Sequence, residues 1–449
     1  MKNASSWNWI HAGLAAVLLA STAWAAPARQ PNIIFILVDD VGRDMYSCYG
    51  AENKTPNVDR LAAEGVRFQN AWCTPLCTPT RMEFLTGLYP YHSGWNVHHD
   101  VPRWGGKGFD PDKFVCIARV LKQAGYATAI AGKWQINDLR QDKQIMQKHG
   151  FDQYCLWTGV EAGNAPTNRR YWDAYLEING QRGTHTGKFG PEITQKFALD
   201  FIVQHKDEPF FVYYPMIAAH GPLEPPPGPD GRRGERKRDK GLQRQVVAYL
   251  DRQVGEIVAK LETLGIGDNT IVAFAGDNGS AGGGTLNGRP TPSGKGKVTD
   301  MGVHVPLIFR APMLARKAFV TEALADFTDL FPTFAELAGA QLPPDVSLDG
   351  RSLVPVLQGK ATQSKPWIYS QLGANRIVRD ARWLLHSSGA FYDLQADPLE
   401  KNDLSASATP ETVAARQRLA KVLDGLPADA PAPFEGYRGA QKKERKSKR

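Results

Sequence analysis

The sequence predicts an α/β fold: a mostly parallel sheet sandwiched by helices, followed by a smaller C-terminal α+β unit. Two observations carry this. Apolar strand-like runs alternate with amphipathic helix-like segments over most of the chain, the pattern of a parallel sheet covered on both faces. The polar residues of chemical interest sit at or just beyond the ends of those runs: Asp39 and Asp40, Lys133, His220, then Asp277 and Asn278. In open α/β sheets the carboxyl edge of the strands is where ligands bind.

The elements follow in order. Lys2 precedes an apolar run over residues 10–20, and Ala23-Trp24-Ala25 supplies a small-x-small cleavage pattern. The run is too short to span a bilayer, so residues 1–25 are expected to be a cleaved export signal. Export to the periplasm or the medium, with no stable membrane anchor, follows. NIIFILV at 32–38 reads as a buried central strand. Residues 58–64 and 66–68 read as a helix and a strand, and 113–123 and 127–131 repeat the pair. Strands are expected at 210–214 and 270–275. Between them Leu242, Val246, Leu250, Val254, Ile257, Leu261 and Leu264 fall on one helical face. These elements make a catalytic domain over residues 26–342. Short strands at 367–371, 376–378, 383–387 and 391–394 and a helix at 410–423 make a C-terminal subdomain over 343–426. Residues 427–449, Pro/Ala-rich and then basic, read as a disordered tail.

The chain has 449 residues and a net charge of +8. That charge is local. GRRGERKRDK at 231–240 has six basic and two acidic residues, and QKKERKSKR at 441–449 has six and one. The remainder is near neutral, so the picture is a neutral body with a basic loop and a basic end. Such segments are solvated surface or attract polyanions. Neither interleaves aromatics with its charges, which argues against nucleic acid as a partner. There are five cysteines: Cys48, Cys73, Cys77, Cys116 and Cys155. An odd count in an exported protein points to a reactive or intermolecular thiol. The other four are free or form up to two bridges.

Taken singly, the polar residues are ambiguous. Paired acids such as Asp39 and Asp40 often only solvate a loop, but Asp277 and Asn278 follow a second such strand. Carboxylates with an amide oxygen suit a hard cation, Ca²⁺ ahead of Mg²⁺. Lys133, His220 and Lys295 each also have an ordinary reading as a surface lysine, a turn histidine and a loop lysine.

As a set they resemble the type I, formylglycine-dependent sulfatases of the alkaline phosphatase superfamily. The blocks occur in that family's order: VDDVG at 38–42, CTPTR at 77–81, AGKW at 131–134, AAHGP at 218–222 and FAGDNG at 274–279. GKG at 294–296, VPLIF at 305–309 and FYDLQADPLEKNDL at 391–404 continue the series. The resemblance implies an alkaline-phosphatase-like sheet and sulfate-ester hydrolysis. It implies that a maturation enzyme oxidises Cys77 to formylglycine. Asp39, Asp40, Asp277, Asn278 and one formylglycine hydroxyl would bind Ca²⁺. Arg81 would hold the formylglycine, Lys133 and Lys295 would grip the sulfate, and His220 would serve the leaving group.

Two departures stand out. The family usually has GKWH where this chain has Gln135, and often arginine before the VP strand where this chain has His304. Glutamine forms hydrogen bonds but carries no proton at neutral pH. The expectation is that Gln135 keeps the positioning role, while His304 or water supplies the base for sulfate release. Substrate contacts are expected from Gln135 and His304, and from Trp95, His98 and His99, with Arg103 and Trp104 beside them. A second patch, Arg169, Arg170, Tyr171 and Trp172, has the same composition. The expected substrate is a sulfated carbohydrate or another sulfate ester. The rivals are a phosphonate or phosphate diester hydrolase sharing the motif, and a weakly active glycan-binding relative.

Overall fold

The computed structural model describes residues 29–235, 239–314 and 318–438. The export signal expected at residues 1–25 lies outside them. In chain order the strands are β1 (Asn32–Val38), β2 (Val66–Trp72), β3 (Ala127–Lys133), β4 (Gln153–Trp157), β5 (Tyr175–Ile178), β6 (Gln181–Thr184), β7 (Phe210–Pro215) and β8 (Thr270–Gly276). There follow a ribbon of β9 (Thr285–Leu286) and β10 (Arg289–Pro290), then β11 (Leu307–Arg310) and β12 (Phe319–Asp326). Last come β13 (Ile368–Leu372), β14 (Asn375–Arg379), β15 (Trp383–His386) and β16 (Phe391–Asp393).

The main sheet has ten strands in the order β12-β2-β11-β8-β1-β7-β3-β4-β5-β6. Its centre, β8-β1-β7-β3-β4, is parallel throughout. Only β11 and β5 run against the rest. Every residue of β1 is buried, and its period of two divides the core. Ile33, Phe35 and Leu37 face one layer with the Cys77–Thr86, Ile117–Gln123 and Leu330–Leu337 helices. Ile34, Ile36 and Val38 face the other, with the Asp239–Thr263 and Gly190–Gln204 helices. A strand covered on both sides has no polar face, which is why NIIFILV carries no alternation.

The C-terminal unit is an antiparallel sheet, β13-β14-β15-β16, with the Pro410–Gly425 helix packed through Ala415, Leu419 and Leu423 onto Trp383, Leu385 and Phe391. Two expectations need correction. The helix expected at 113–123 begins at Ile117, because Arg119 Nη1 donates to the Pro111 carbonyl at 2.8 Å and holds a turn ahead of it. The segment from 427 is ordered as far as Arg438: Phe434 and Tyr437 are buried against Trp95 and His99. Their apolar area outweighs the local proline and charge that suggested disorder. Residues 439–449 lie outside the described part.

One buried group ties the fold to pH. His149 stacks on Phe109 with centroids 4.1 Å apart, and its Nε2 donates to Asn137 Oδ1 at 3.2 Å. Burial, reinforced by the charge of Arg119, pushes its pKa down to about 3. The folded chain therefore keeps this imidazole neutral, while the unfolded chain protonates it below its ordinary 6.5. Its contribution is complete above that value, declines as pH falls, and levels off near 3. The His149→Gln variant is expected to lose less melting temperature than the parent between pH 7 and pH 4. Parallel thermal melts check this, and equal slopes would remove His149 as a source of acid lability.

Candidate active site

The site lies at the carboxyl edge of the parallel strands. Asp39 and Asp40 follow β1, Lys133 ends β3, and Asp277 and Asn278 follow β8; His220 lies on the loop after β7. Between β3 and β7 the backbones come close enough that a Cβ on Gly132 would sit 1.8 Å from the Pro215 carbonyl oxygen. Only glycine fits there, and this contact sets the position of Lys133. Asp40 and Gln135 have φ of 62° and 65°, left-handed backbone at which non-glycine residues are strained and which clusters at functional sites.

Cys77 is the first residue of the Cys77–Thr86 helix, every residue of which is buried. Its side chain therefore lies where the helix dipole favours negative charge. Cys77 Sγ and carboxylate oxygens of Asp39 and Asp277 all lie within 4.8 Å of one another. One turn along, Arg81 Nη2 bridges Asp277 Oδ2 at 2.8 Å and Asp39 Oδ2 at 3.1 Å. Lys133 Nζ donates to Asp39 Oδ2 at 2.5 Å and Lys295 Nζ to Asp40 Oδ2 at 2.6 Å. Asn278 Nδ2 donates to Asp40 Oδ1 at 3.0 Å.

These charges tune one another. Burial alone would raise the Asp39 carboxyl, but the charges of Lys133 and Arg81 hold it well below the usual range. Asp277 and Asp40 are pushed up, first by burial and next by the charge of Asp39. Burial and then Lys133 push His220 well down, so the imidazole is neutral. Two buried oxygens, Asp39 Oδ1 and Asn278 Oδ1, have no hydrogen-bond partner among the described residues. Three carboxylates, an amide and two orphaned oxygens at one point are a donor set that fits a hard, oxygen-seeking cation.

His220 is fixed through its backbone. Tyr171 Oη donates to its carbonyl at 2.7 Å and Arg170 Nη2 at 3.0 Å. Arg170 is itself held over the Trp157 and Tyr171 rings, while Trp172 donates to the Pro225 carbonyl. Arg170, Tyr171 and Trp172 thus build the histidine loop. Nδ1 of His220 is buried without a partner among the described residues.

Three expected substrate contacts require correction. His304 is buried with both ring nitrogens engaged, Nδ1 with Asp300 at 3.0 Å and Nε2 with the Gln69 carbonyl at 2.6 Å. Asp300 also receives Trp72, Arg43 and Arg379, which join β14 to the main sheet. His304 is thus a structural residue and no base for sulfate release. Trp95 is fully buried between Phe434 and Tyr437. His99 is buried, stacked on Tyr437, and bonded to the Gly105 carbonyl. Neither presents a surface to a substrate. His98, in contrast, lies with Nδ1 3.7 Å from Cys77 Sγ and 2.7 Å from Thr78 Oγ1. Gln135 points to Asp100, its Nε2 donating to Oδ2 at 2.9 Å. The sequence offered no sign of Asp100, because its position depends on how the loop after the nucleophile helix folds back. All five cysteines are free.

The sulfatase family profile matches residues 31–340. The chain belongs to the sulfatase family. As a sulfatase it is a sulfuric ester hydrolase. It is 31% identical over 495 residues to the N-acetylgalactosamine-6-O-sulfatase of Bacteroides thetaiotaomicron, covering 89% of this sulfatase and 93% of that protein. With mouse arylsulfatase J the identity is 30% over 346 residues, 73% of this chain but 56% of the relative. Among solved structures, the crystal structure of Ps i-CgsB superposes with a TM-score of 0.76 at 26% identity, covering 90% of this chain and 94% of that one. The same protein is known in complex with k-i-k-neocarrahexaose. No helix among the described residues is long and apolar enough to cross a membrane.

Proposed function

We propose that this sulfatase removes sulfate from a sulfated carbohydrate, with residue 77 acting as formylglycine beside a Ca²⁺ ion. The observation that carries the reading is the placement of Cys77 Sγ against the Asp39 and Asp277 carboxylates at a helix N-terminus, with Arg81 and Lys133 on the same carboxylates. The relative named N-acetylgalactosamine-6-O-sulfatase and the neighbour that binds k-i-k-neocarrahexaose support a carbohydrate substrate. A formylglycine hydrate supplies two hydroxyls on one carbon, and a Ca²⁺ ion held by Asp39, Asp40, Asp277 and Asn278 supplies positive charge for sulfate oxygens. Export, and maturation by a separate oxidising enzyme, belong to the same proposal.

The chain's own residues do the rest. Lys133 and Lys295 are ammonium donors on either side of the aspartate pair, placed to stabilise charge on the sulfate as the ester bond breaks. Arg81 holds Asp39 and Asp277 in position. His220 serves the leaving oxygen through its unpartnered Nδ1. The sulfate's negative charge offsets the field of Lys133, so the imidazole gains proton affinity when substrate is present. Gln135 and Asp100 form a hydrogen-bonded positioning pair, and His98 is the imidazole against residue 77.

The test is mass spectrometry of the residue-77 peptide from protein matured in its native host, together with turnover of sulfate monoesters and phosphate diesters before and after chelation. An aldehyde at 77, preference for sulfate monoesters, and loss of activity on chelation restored by Ca²⁺ are expected. An unmodified thiol in active protein, or faster diester hydrolysis, would overturn the reading. A second expectation concerns the missing histidine. Gln135→His should alter kcat by less than about tenfold, since a positioned acid or base contributes about 10²–10⁴-fold and Gln135 is not that group. A gain of hundredfold or more would show that the natural site lacks its base.

A further inference from the structure

The 94–105 loop, which carries His98 to residue 77, is clamped by the end of the chain. Tyr437 Oη donates to the Val97 carbonyl at 2.8 Å and accepts from the Val97 N–H at 2.9 Å. The Arg438 N–H donates to His99 Nδ1 at 3.1 Å. This clamp brings Arg438 over the Trp104 ring, Cζ 3.9 Å from its centroid. Arg103 lies against the same indole at 5.6 Å. Trp104 in turn meets the His98 ring edge-on at 5.4 Å. The order from the nucleophile outward is therefore Cys77, His98, Trp104 and two arginines. Both arginines are exposed, and neither is joined to a carboxylate among the described residues.

We propose that Arg103 and Arg438, mounted on Trp104, form a subsite for a second anionic group, sulfate or carboxylate, on the sugar next to the one that loses its sulfate. The inference rests on the carbohydrate-sulfatase reading above and specifies its substrate as an oligosaccharide carrying more than one charge. The sequence places Trp104 beside the expected substrate contacts, but its ring already carries guanidinium groups. Its part is to hold two like charges together without carboxylates that would cancel them. A guanidinium lying on an indole keeps its N–H edge free to bind an anion in two-point fashion. The acidic partner that neither cation has among the described residues is the one a polyanionic glycan brings. The chain end is thus part of the substrate site, because Arg438 is delivered to it by Tyr437 and Phe434.

The experiment measures binding without turnover. A Cys77→Ala chain is titrated calorimetrically with a tetrasaccharide sulfated on every hexosamine, and with the same tetrasaccharide bearing a single sulfate. Adding Arg103→Gln and Arg438→Gln is expected to weaken the polysulfated ligand about tenfold, the worth of one or two charge-assisted hydrogen bonds, and the monosulfated ligand less than twofold. Melting temperature shows whether the double variant is folded. An equal loss for both ligands, or none, would overturn the proposal. So would a chain ending at Arg438 that has lost the preference, because the selectivity would then reside in residues 439–449. Failure of the wild-type protein to cleave any sulfate ester would overturn the carbohydrate-sulfatase reading instead, independently of this binding result.

Discussion

Cys77→Ala is expected to lose sulfate-ester hydrolysis by at least about 10⁴-fold, the scale on which removal of a covalent nucleophile acts. Cys77→Ser separates two explanations of that loss. A serine hydroxyl can attack sulfur, but it leaves a sulfate ester with no second hydroxyl on the same carbon to expel sulfate. A burst of one leaving group per chain, with the residue-77 peptide heavier by one SO₃, is the expected result. Steady turnover by the serine variant would show that release of sulfate does not depend on a two-hydroxyl carbon. No burst at all in a folded chain would remove residue 77 as the attacking group. Because Cys77 opens a fully buried helix, both substitutions are small enough to leave its packing intact, and near-ultraviolet circular dichroism checks this.

The largest expected effect on stability is at Arg81. Its guanidinium is almost wholly buried and ion-paired with Asp39 and Asp277, themselves fully buried. Breaking a buried pair by removing one partner leaves uncompensated charge and costs about 3–5 kcal/mol. That is a large share of the roughly 5–15 kcal/mol by which a domain is stable. Arg81→Met is therefore expected to shift the urea midpoint sharply downward in metal-free buffer. Ca²⁺ should recover more stability in the variant than in the parent, since an ion bound only by the folded state adds stability by mass action and here replaces a missing positive charge. Equal Ca²⁺ responses in the two chains would separate Arg81 from the metal site.

These two positions also show why so much of the site is legible in sequence. Asp39, Lys133 and Asp277 lie where parallel strands of one sheet end, and parallel strands in register deliver their ends to one edge. Reading the strands correctly therefore places the residues together without any knowledge of their contacts. His220 needs one step more, since its carbonyl is fixed by Arg170 and Tyr171 from another segment. His304 shows the limit. Its place directly before the VP strand suggested the site, yet its ring turns to Asp300 and Gln69, and nothing local in the sequence distinguishes the two directions. Trp95 and His99 fail for the same reason: an aromatic in a loop is a binding surface or a core residue according to what covers it. Here the cover comes from Phe434 and Tyr437, more than three hundred positions away.

The sequence by itself determined the strands β1, β2, β3, β7 and β8, the polar pairs after β1 and β8 and the smaller C-terminal unit. Each of these depends on local periodicity or on the fixed offset of a residue from a strand end. Only the tertiary structure decided that His98 and not His304 faces residue 77, that Gln135 is tied to Asp100, and that the chain end closes over the His98 loop. Those outcomes depend on contacts between segments far apart in sequence. Such contacts are chosen by the apolar area buried when they meet, a quantity that no single segment contains.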